Sequence, residues 1–132
     1  MPTARSIDSY RAIDMQSRTP LEMIVMLYDG ALRFMSEARR AIERKDIPAR
    51  RHAVSRALAI VSELQNTLDL ESGGELAQSL DGLYVFVIER LTQASVSQEV
   101  RSIDEAVRVI ATLRDGWAGI TSKPVAAGRQ TR

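Results

Sequence analysis

A glycine pair, Gly73-Gly74, separates two helical patterns in the middle of the chain, and the pattern that follows is apolar on almost every side. Its main apolar stripe consists of Leu76, Leu80, Leu83, Val87 and Leu91. Further apolar residues surround this stripe, namely Tyr84, Val85, Phe86 and Ile88. A helix that is apolar nearly all round must be covered nearly all round. In so short a chain, this pattern predicts a second surface that another polypeptide covers.

The composition favours a single all-α domain. The 132 residues fit one domain, 45% of them are hydrophobic, only 5% are aromatic, and there are four prolines. The absence of cysteine excludes disulfides, thiolate zinc sites and a cysteine nucleophile, and fits a reducing cytoplasm.

Targeting, membrane and nucleic-acid signals are absent from the sequence. The N-terminal residues lack the apolar core of a signal peptide, and no apolar run approaches the ~20 residues that span a bilayer. We therefore expect a cytoplasmic protein without membrane insertion. The net charge of +1 does not predict a nucleic-acid partner, and none is expected.

Four helical segments can be placed from their caps and stripes. Thr19-Pro20-Leu21-Glu22 reads as a capping box that opens a first helix over about 19–45. Asp46 is the predicted N-cap of a second helix over about 47–70. Ser72 is the predicted cap of a third over about 74–94, and Ser95 or Ser97 that of a fourth over about 97–119.

The connections between these segments are short, so neighbouring helices should run antiparallel. The predicted fold is an all-α, up-down-up-down four-helix bundle over residues 19–120. Residues 1–18 form a predicted mobile N-terminal segment with a short helix, and residues 121–132 a predicted disordered tail.

No catalytic or metal-binding constellation is found, so no enzyme activity and no cofactor are predicted. The only histidine is His52, and position 49, three residues earlier, is an alanine, which rules out a Glu-x-x-His pair. A Ser-His-Asp triad would also need His52, and nothing near it in the sequence supports one.

A basic cluster surrounds the first helical junction and consists of Arg39, Arg40, Arg44, Lys45, Arg50, Arg51 and Arg56. Interleaved acidic residues favour a solvated, salt-bridged end of the bundle, with contact to an acidic partner as the alternative. The surplus apolar positions on helices two to four are equally compatible with a partner groove and with a homodimer interface.

Three sequence blocks, in order, resemble the family of flagellar export chaperones called FliS. The first joins Ile7 and Tyr10 to Thr19-Pro20 and LEMIVMLYDGALRF (21–34). The second and third are LDLESGGELAQSLDGLY (68–84) and ATLRDGWAGI (111–120). Ser79 departs from the asparagine that is usual in the family.

The resemblance implies a cytoplasmic bundle that binds the C-terminal segment of flagellin, prevents its premature polymerisation and delivers it to the flagellar type III export gate. It also implies that Ile7 and Tyr10 form a flap over the binding groove. The alternative is a homodimeric helical scaffold without a flagellin partner, and a weak homodimer is compatible with either reading.

The predicted partner-binding residues combine the implied flap with the surplus apolar positions of helices two to four. They are Ile7, Tyr10, Leu58, Val61, Leu68, Leu70, Tyr84, Val87, Ile88, Leu91, Val107 and Ile110.

Overall fold

The computed structural model describes residues 19–122, and within that range all regular structure is helical. The helices are α1 (Pro20–Glu43), α2 (Ile47–Asn66), α3 (Gly74–Ser97) and α4 (Val100–Ser122). Each helix packs on the next, and α4 also packs on α1, so the four close into a ring. The predicted four-helix up-down-up-down bundle is confirmed.

The predictions for the two chain ends largely concern residues outside the described part. Residues 1–18 and 123–132 lie beyond it. Residues 121 and 122, which were predicted to begin the tail, instead complete α4.

The first two helices start where the sequence predicts. The Thr19 hydroxyl accepts a hydrogen bond from the Glu22 backbone N–H (3.1 Å), and the Thr19 N–H donates to the Glu22 carboxylate (3.0 Å). At α2, the Asp46 carboxylate accepts from the backbone N–H of Ala49 (3.1 Å). These contacts satisfy donors that have no partner within the first turn of a helix.

The tight junction between α1 and α2 is a Schellman motif. The Lys45 N–H donates to the carbonyl of Ile42 (3.1 Å), and the Asp46 N–H donates to that of Ala41 (2.9 Å). This geometry puts Lys45 in the left-handed region, with φ of 60°. Glycine is the residue that usually occupies this position, so Lys45 carries a conformational cost.

The turn between α2 and α3 differs from the prediction. Helix α2 ends at Asn66 rather than near Leu70, because the chain turns at Thr67, whose hydroxyl donates to the Leu64 carbonyl (2.6 Å). The predicted cap Ser72 is wrong, since its hydroxyl donates to the Asp69 carboxylate and the N-cap position is Gly73. The sequence pattern did not show that Asp69 organises this turn.

The junction between α3 and α4 is also displaced along the chain. Helix α3 continues to Ser97, so Ser95 and Ser97 lie inside it and neither caps α4. The Ser97 hydroxyl instead donates to the carbonyl of Gln93, one turn earlier (2.8 Å). The helix stops at Gln98, which is left-handed with φ of 62°.

The core follows a regular seam along each helix and is rich in alanine. On α3 the predicted stripe is correct at Leu80, Val87 and Leu91. It differs at two positions, where Ala77 and Tyr84 are buried in place of Leu76 and Leu83. The buried apolar residues of α3 are Ala77, Leu80, Tyr84, Val87, Leu91 and Ala94. Their spacing alternates three and four residues, as in a bundle seam.

We predict that Lys45→Gly stabilises the protein by about 0.5–1 kcal/mol, because glycine adopts a positive φ without the steric cost of a Cβ atom. Urea unfolding measures the change. Lys45→Ala is the matched control, since it removes the same charge and keeps the Cβ. A gain of similar size in both variants would show that charge, and not backbone conformation, is responsible.

Candidate functional site

An open apolar groove of about 550 Å³ lies at the end of the bundle where α1 begins, α2 ends and α3 begins. Trp117 of α4 completes it. Its apolar lining consists of Pro20, Leu21, Met23, Ile24, Leu27, Leu68, Leu76, Ala77, Leu80 and Trp117. A concave apolar surface of this size is suited to apolar side chains of a partner.

Leu76, in the first turn of α3, is the most exposed of the large apolar residues that line the groove. Leu76 keeps 65% of its surface accessible although it is a large aliphatic residue. Across the groove, Leu21 in the first turn of α1 is 36% exposed. The bundle leaves the apolar surface of both residues exposed to water. An apolar ligand that covered them would bury this surface, which is favourable.

Two tyrosines meet beneath the groove. The hydroxyls of Tyr28 and Tyr84 are 2.6 Å apart and join α1 to α3, and both side chains are almost fully buried. Burial raises the pKa of both hydroxyls; the bond to Tyr28 raises the pKa of Tyr84 further, whereas bonding to Tyr84 and Trp117 lowers that of Tyr28. The pair is therefore neutral at physiological pH, as a floor under an apolar groove requires.

Among residues 19–122, the only charged residues that line the groove are acidic. They are Glu63 and Asp69, at the end of α2 and in the following turn. The Asp69 carboxylate accepts hydrogen bonds from the Ser72 hydroxyl and from the backbone N–H groups of Glu71 and Ser72, and these lower its pKa. The rim of the groove thus carries negative charge at neutral pH.

Two shallower depressions lie elsewhere on α3, one mainly apolar and one of mixed polarity. One, of about 220 Å³, is shared with α4 and involves Leu83, Val109 and Leu113. The other, of about 420 Å³, lies near the end of α3 and includes Ile88 and Val96. Val96 is 76% exposed, the most exposed of the large apolar residues within residues 19–120.

The structure divides the predicted partner-binding residues into three groups. Leu58, Leu68, Ile88 and Val107 are half-buried and Leu70 is exposed, so a partner can reach these five. Of these, only Leu68 lines the groove. Ile7 and Tyr10 lie outside the described residues.

The remaining five predictions need correction. Val61, Tyr84, Val87, Leu91 and Ile110 are at most 2% exposed and belong to the core. They occupy seam positions that face the other helices, so a partner outside the bundle cannot pack on them; Tyr84 alone reaches the floor of the groove.

The predicted binding residues omit Leu21, Leu76 and Trp117 of the groove, because each continues the three-and-four apolar spacing of its helix, which is typical of core positions. The available signal was their position near helix ends. At the end of a bundle, a stripe residue can have no facing helix to cover it.

Two of the seven residues of the basic cluster at the opposite end, Arg39 and Arg44, form ion pairs within residues 19–122. Arg39 donates to Asp104 (3.0 and 3.1 Å) and to Glu43 (2.7 Å), which favours the salt-bridged reading. Arg33 and Arg56 lie over the ring of Phe34, at 5.3 and 5.6 Å. Arg50 departs from the expected solvated cluster: it is buried, and its Nε has no hydrogen-bond partner among the described residues.

Among residues 19–122, no cluster of three or more histidine, cysteine, aspartate or glutamate side chains is arranged to hold a metal ion. No helix in the same range is both long and apolar enough to cross a membrane.

Comparison with known proteins identifies the relatives of this chain. The sequence model of the family "Flagellar protein FliS" matches residues 3–124. The Flagellar secretion chaperone FliSB of Pseudomonas aeruginosa is 32% identical over 125 residues, which cover 92% of this chain and 99% of that protein. The Flagellar secretion chaperone FliS of Campylobacter jejuni is 39% identical over 109 residues, covering 83% of this chain and 85% of the relative.

The FliS of Salmonella typhimurium is 34% identical over 128 residues, with 93% and 95% of the two chains covered. A solved structure described as a flagellar chaperone from bacteria superposes with a TM-score of 0.72. That alignment covers 91% of this chain and 98% of the other at 22% identity, which supports the fold alone.

We predict that the hydroxyls of Tyr28 and Tyr84 are energetically coupled. Tyr84→Phe leaves the Tyr28 hydroxyl buried without this partner and should cost about 1–3 kcal/mol. The double variant with Tyr28→Phe should lose less than the sum of the two single losses. Urea unfolding of the four proteins measures the difference, and strictly additive losses would show that the two hydroxyls do not interact.

Proposed function

Because this chain belongs to the FliS family of flagellar proteins, we propose that it is a cytoplasmic export chaperone for flagellin. In this proposal it binds the C-terminal segment of flagellin, prevents premature polymerisation and delivers the segment to the flagellar type III export gate. The relatives named flagellar secretion chaperone support the role, and the uncovered apolar groove supports the mode of binding.

The single observation that carries the proposal is the exposed apolar wall of the groove around Leu76. A segment that is unfolded when free and apolar along one side can place its side chains there and fold as it binds. At about 25 cal/mol per Å², ~600 Å² of covered apolar surface is worth roughly 15 kcal/mol before costs. Ordering and association consume much of that sum, which keeps binding reversible enough for release at the gate.

The proposed flap brings Ile7 and Tyr10 to the same groove. The first described residue, Thr19, directly precedes Pro20 and Leu21, which line the groove. Residues 1–18 therefore join the bundle at the edge of the groove. In the absence of flagellin, the apolar side chains of this segment would cover the groove and limit self-association.

We predict that Leu76→Ala lowers affinity for the flagellin C-terminal segment by about tenfold, because it removes apolar area that only the partner covers. Leu76 is largely exposed, so the fold should be unaffected. Isothermal titration calorimetry measures the affinity. Ile47→Ala, at the opposite end of the bundle and 45% exposed, is the matched control. Equal losses in both variants would contradict a groove-centred site.

We predict that Tyr10→Ala keeps the fold but weakens binding of the flagellin segment, because an aromatic anchor of the flap is lost. Circular dichroism checks the fold and calorimetry the affinity. Unchanged affinity would remove the flap from the mechanism.

Sedimentation velocity of the free chain separates the chaperone from the alternative homodimeric scaffold. A monomer that binds the flagellin segment supports the chaperone. A tight dimer with no affinity for that segment would contradict it.

A further inference from the structure

Charge is distributed very unevenly along the axis of the bundle. The half that holds the groove (20–31, 57–85 and 111–122) contains eight acidic residues and one basic residue, Arg114. The other half (32–56 and 86–110) contains seven acidic and eleven basic residues. The near-neutral net charge of the whole chain conceals this polarity.

Much of the negative charge near the groove is unpaired. Arg114 is engaged by Asp29 (2.8 Å) and Asp115 (3.6 Å). Among residues 19–122, no basic side chain forms an ion pair with Glu63, Glu71 or Glu75. These three carboxylates at the end of α2, in the turn and at the start of α3 leave a negative surface facing solvent.

The C-terminal segment, residues 123–132, follows the end of α4 in the half of the bundle that holds the groove, and it has the complementary charge. It contains Lys123, Arg129 and Arg132 and no acidic side chain. It follows Ser122, the last residue of α4, five positions after the groove residue Trp117. Ten residues reach up to ~33 Å when extended, more than the distance across a bundle whose helices pack ~8–10 Å apart.

We infer that residues 123–132 dock on the acidic end of the bundle, at Glu63, Glu71 and Glu75, and form an electrostatic strap across the groove. Covalent attachment gives the segment a high local concentration at this surface. Each exposed ion pair is worth little, so the strap opens readily and competes with any ligand that enters the groove. This docking does not depend on which partner the groove binds.

Charge favours this segment over the other end of the chain. Residues 1–18 carry Asp8 and Asp14 beside three arginines, so their positive charge is largely offset. Their apolar residues suit the groove itself, whereas the C-terminal segment suits its acidic rim.

Paramagnetic NMR tests the docking directly. The chain has no cysteine, so Gly128→Cys provides a unique attachment point for a nitroxide label. At about 20 mM NaCl the label should broaden the amide signals of residues 63–76 far more than those near Lys45. At about 500 mM NaCl, where surface charges are screened, this contrast should fall sharply.

The control is the same labelled chain with Lys123→Gln, Arg129→Gln and Arg132→Gln, which keeps the tether and removes the charge. At low salt this neutralised chain should show weak broadening, equal to that of the unaltered chain at high salt. Equal broadening in the two chains at low salt would overturn the proposal. A second control mixes isotope-labelled chains that lack the nitroxide with spin-labelled chains that lack the isotope. Broadening in this mixture would show that the tail contacts a second copy, which would also overturn the proposal.

Competition with the groove is tested with the flagellin C-terminal segment. Neutralising the tail should raise affinity roughly threefold to tenfold at low salt, as expected for two or three exposed ion pairs. The matched control, Lys45→Gln with Arg51→Gln and Arg101→Gln, makes the same change in net charge at the opposite end and should leave affinity unchanged. An equal gain in affinity in the tail variant and the control variant would overturn competition by the strap. If the flagellin segment bound neither variant, the proposed function would be contradicted, but the NMR result on docking would still hold.

Discussion

The turn between α2 and α3 is the constraint on which the groove depends. Asp69 gathers the N–H groups of Glu71 and Ser72 and the Ser72 hydroxyl, while its own carbonyl accepts from the Gly73 N–H (2.7 Å). A Cβ atom on Gly73 would lie 2.5 Å from that carbonyl oxygen and 2.6 Å from the Ala77 Cβ, so only glycine fits. Gly74 then has φ of +64°, a conformation that other residues rarely adopt. Because this compact turn ends α2 at Asn66, the first turns of α1 and α3 face an open space instead of a further turn of helix.

The same turn concentrates acidic residues at the groove, and the opposite end of the bundle differs in both charge and packing. There Arg39 and Arg44 form ion pairs with Asp104, Glu43 and Asp46, and Arg56 lies over Phe34. The apolar groove and the negative electrostatic potential therefore lie at the same end of the bundle. This combination favours ligands that are apolar along one side and basic at their edges. Acidic segments are repelled by the acidic rim before they reach the groove.

The sequence predicts the helices well where the signal is local. The capping box at Thr19 and the cap at Asp46 each depend on a few neighbouring residues, and both are found. Prediction fails where the outcome depends on contacts across the fold. On α3, adjacent apolar residues such as Leu83 and Tyr84 satisfy the same period, and only packing against α2 and α4 and the bond to Tyr28 decide which is buried. For the same reason, five predicted binding residues are in the core, and some groove residues near the helix ends were not predicted.

The distribution of the remaining apolar surface argues for an extended partner and against a symmetric dimer. A twofold interface needs one continuous, self-complementary patch. Here the exposed apolar residues face several directions: Leu76 lines the groove, Leu83 borders α4, and Val96 lies near the far end of α3. Leu76 and Val96 are separated by about 30 Å along the helix at 1.5 Å per residue. A folded copy of the bundle cannot cover such scattered positions at once, whereas a segment that folds as it binds can follow them around the surface.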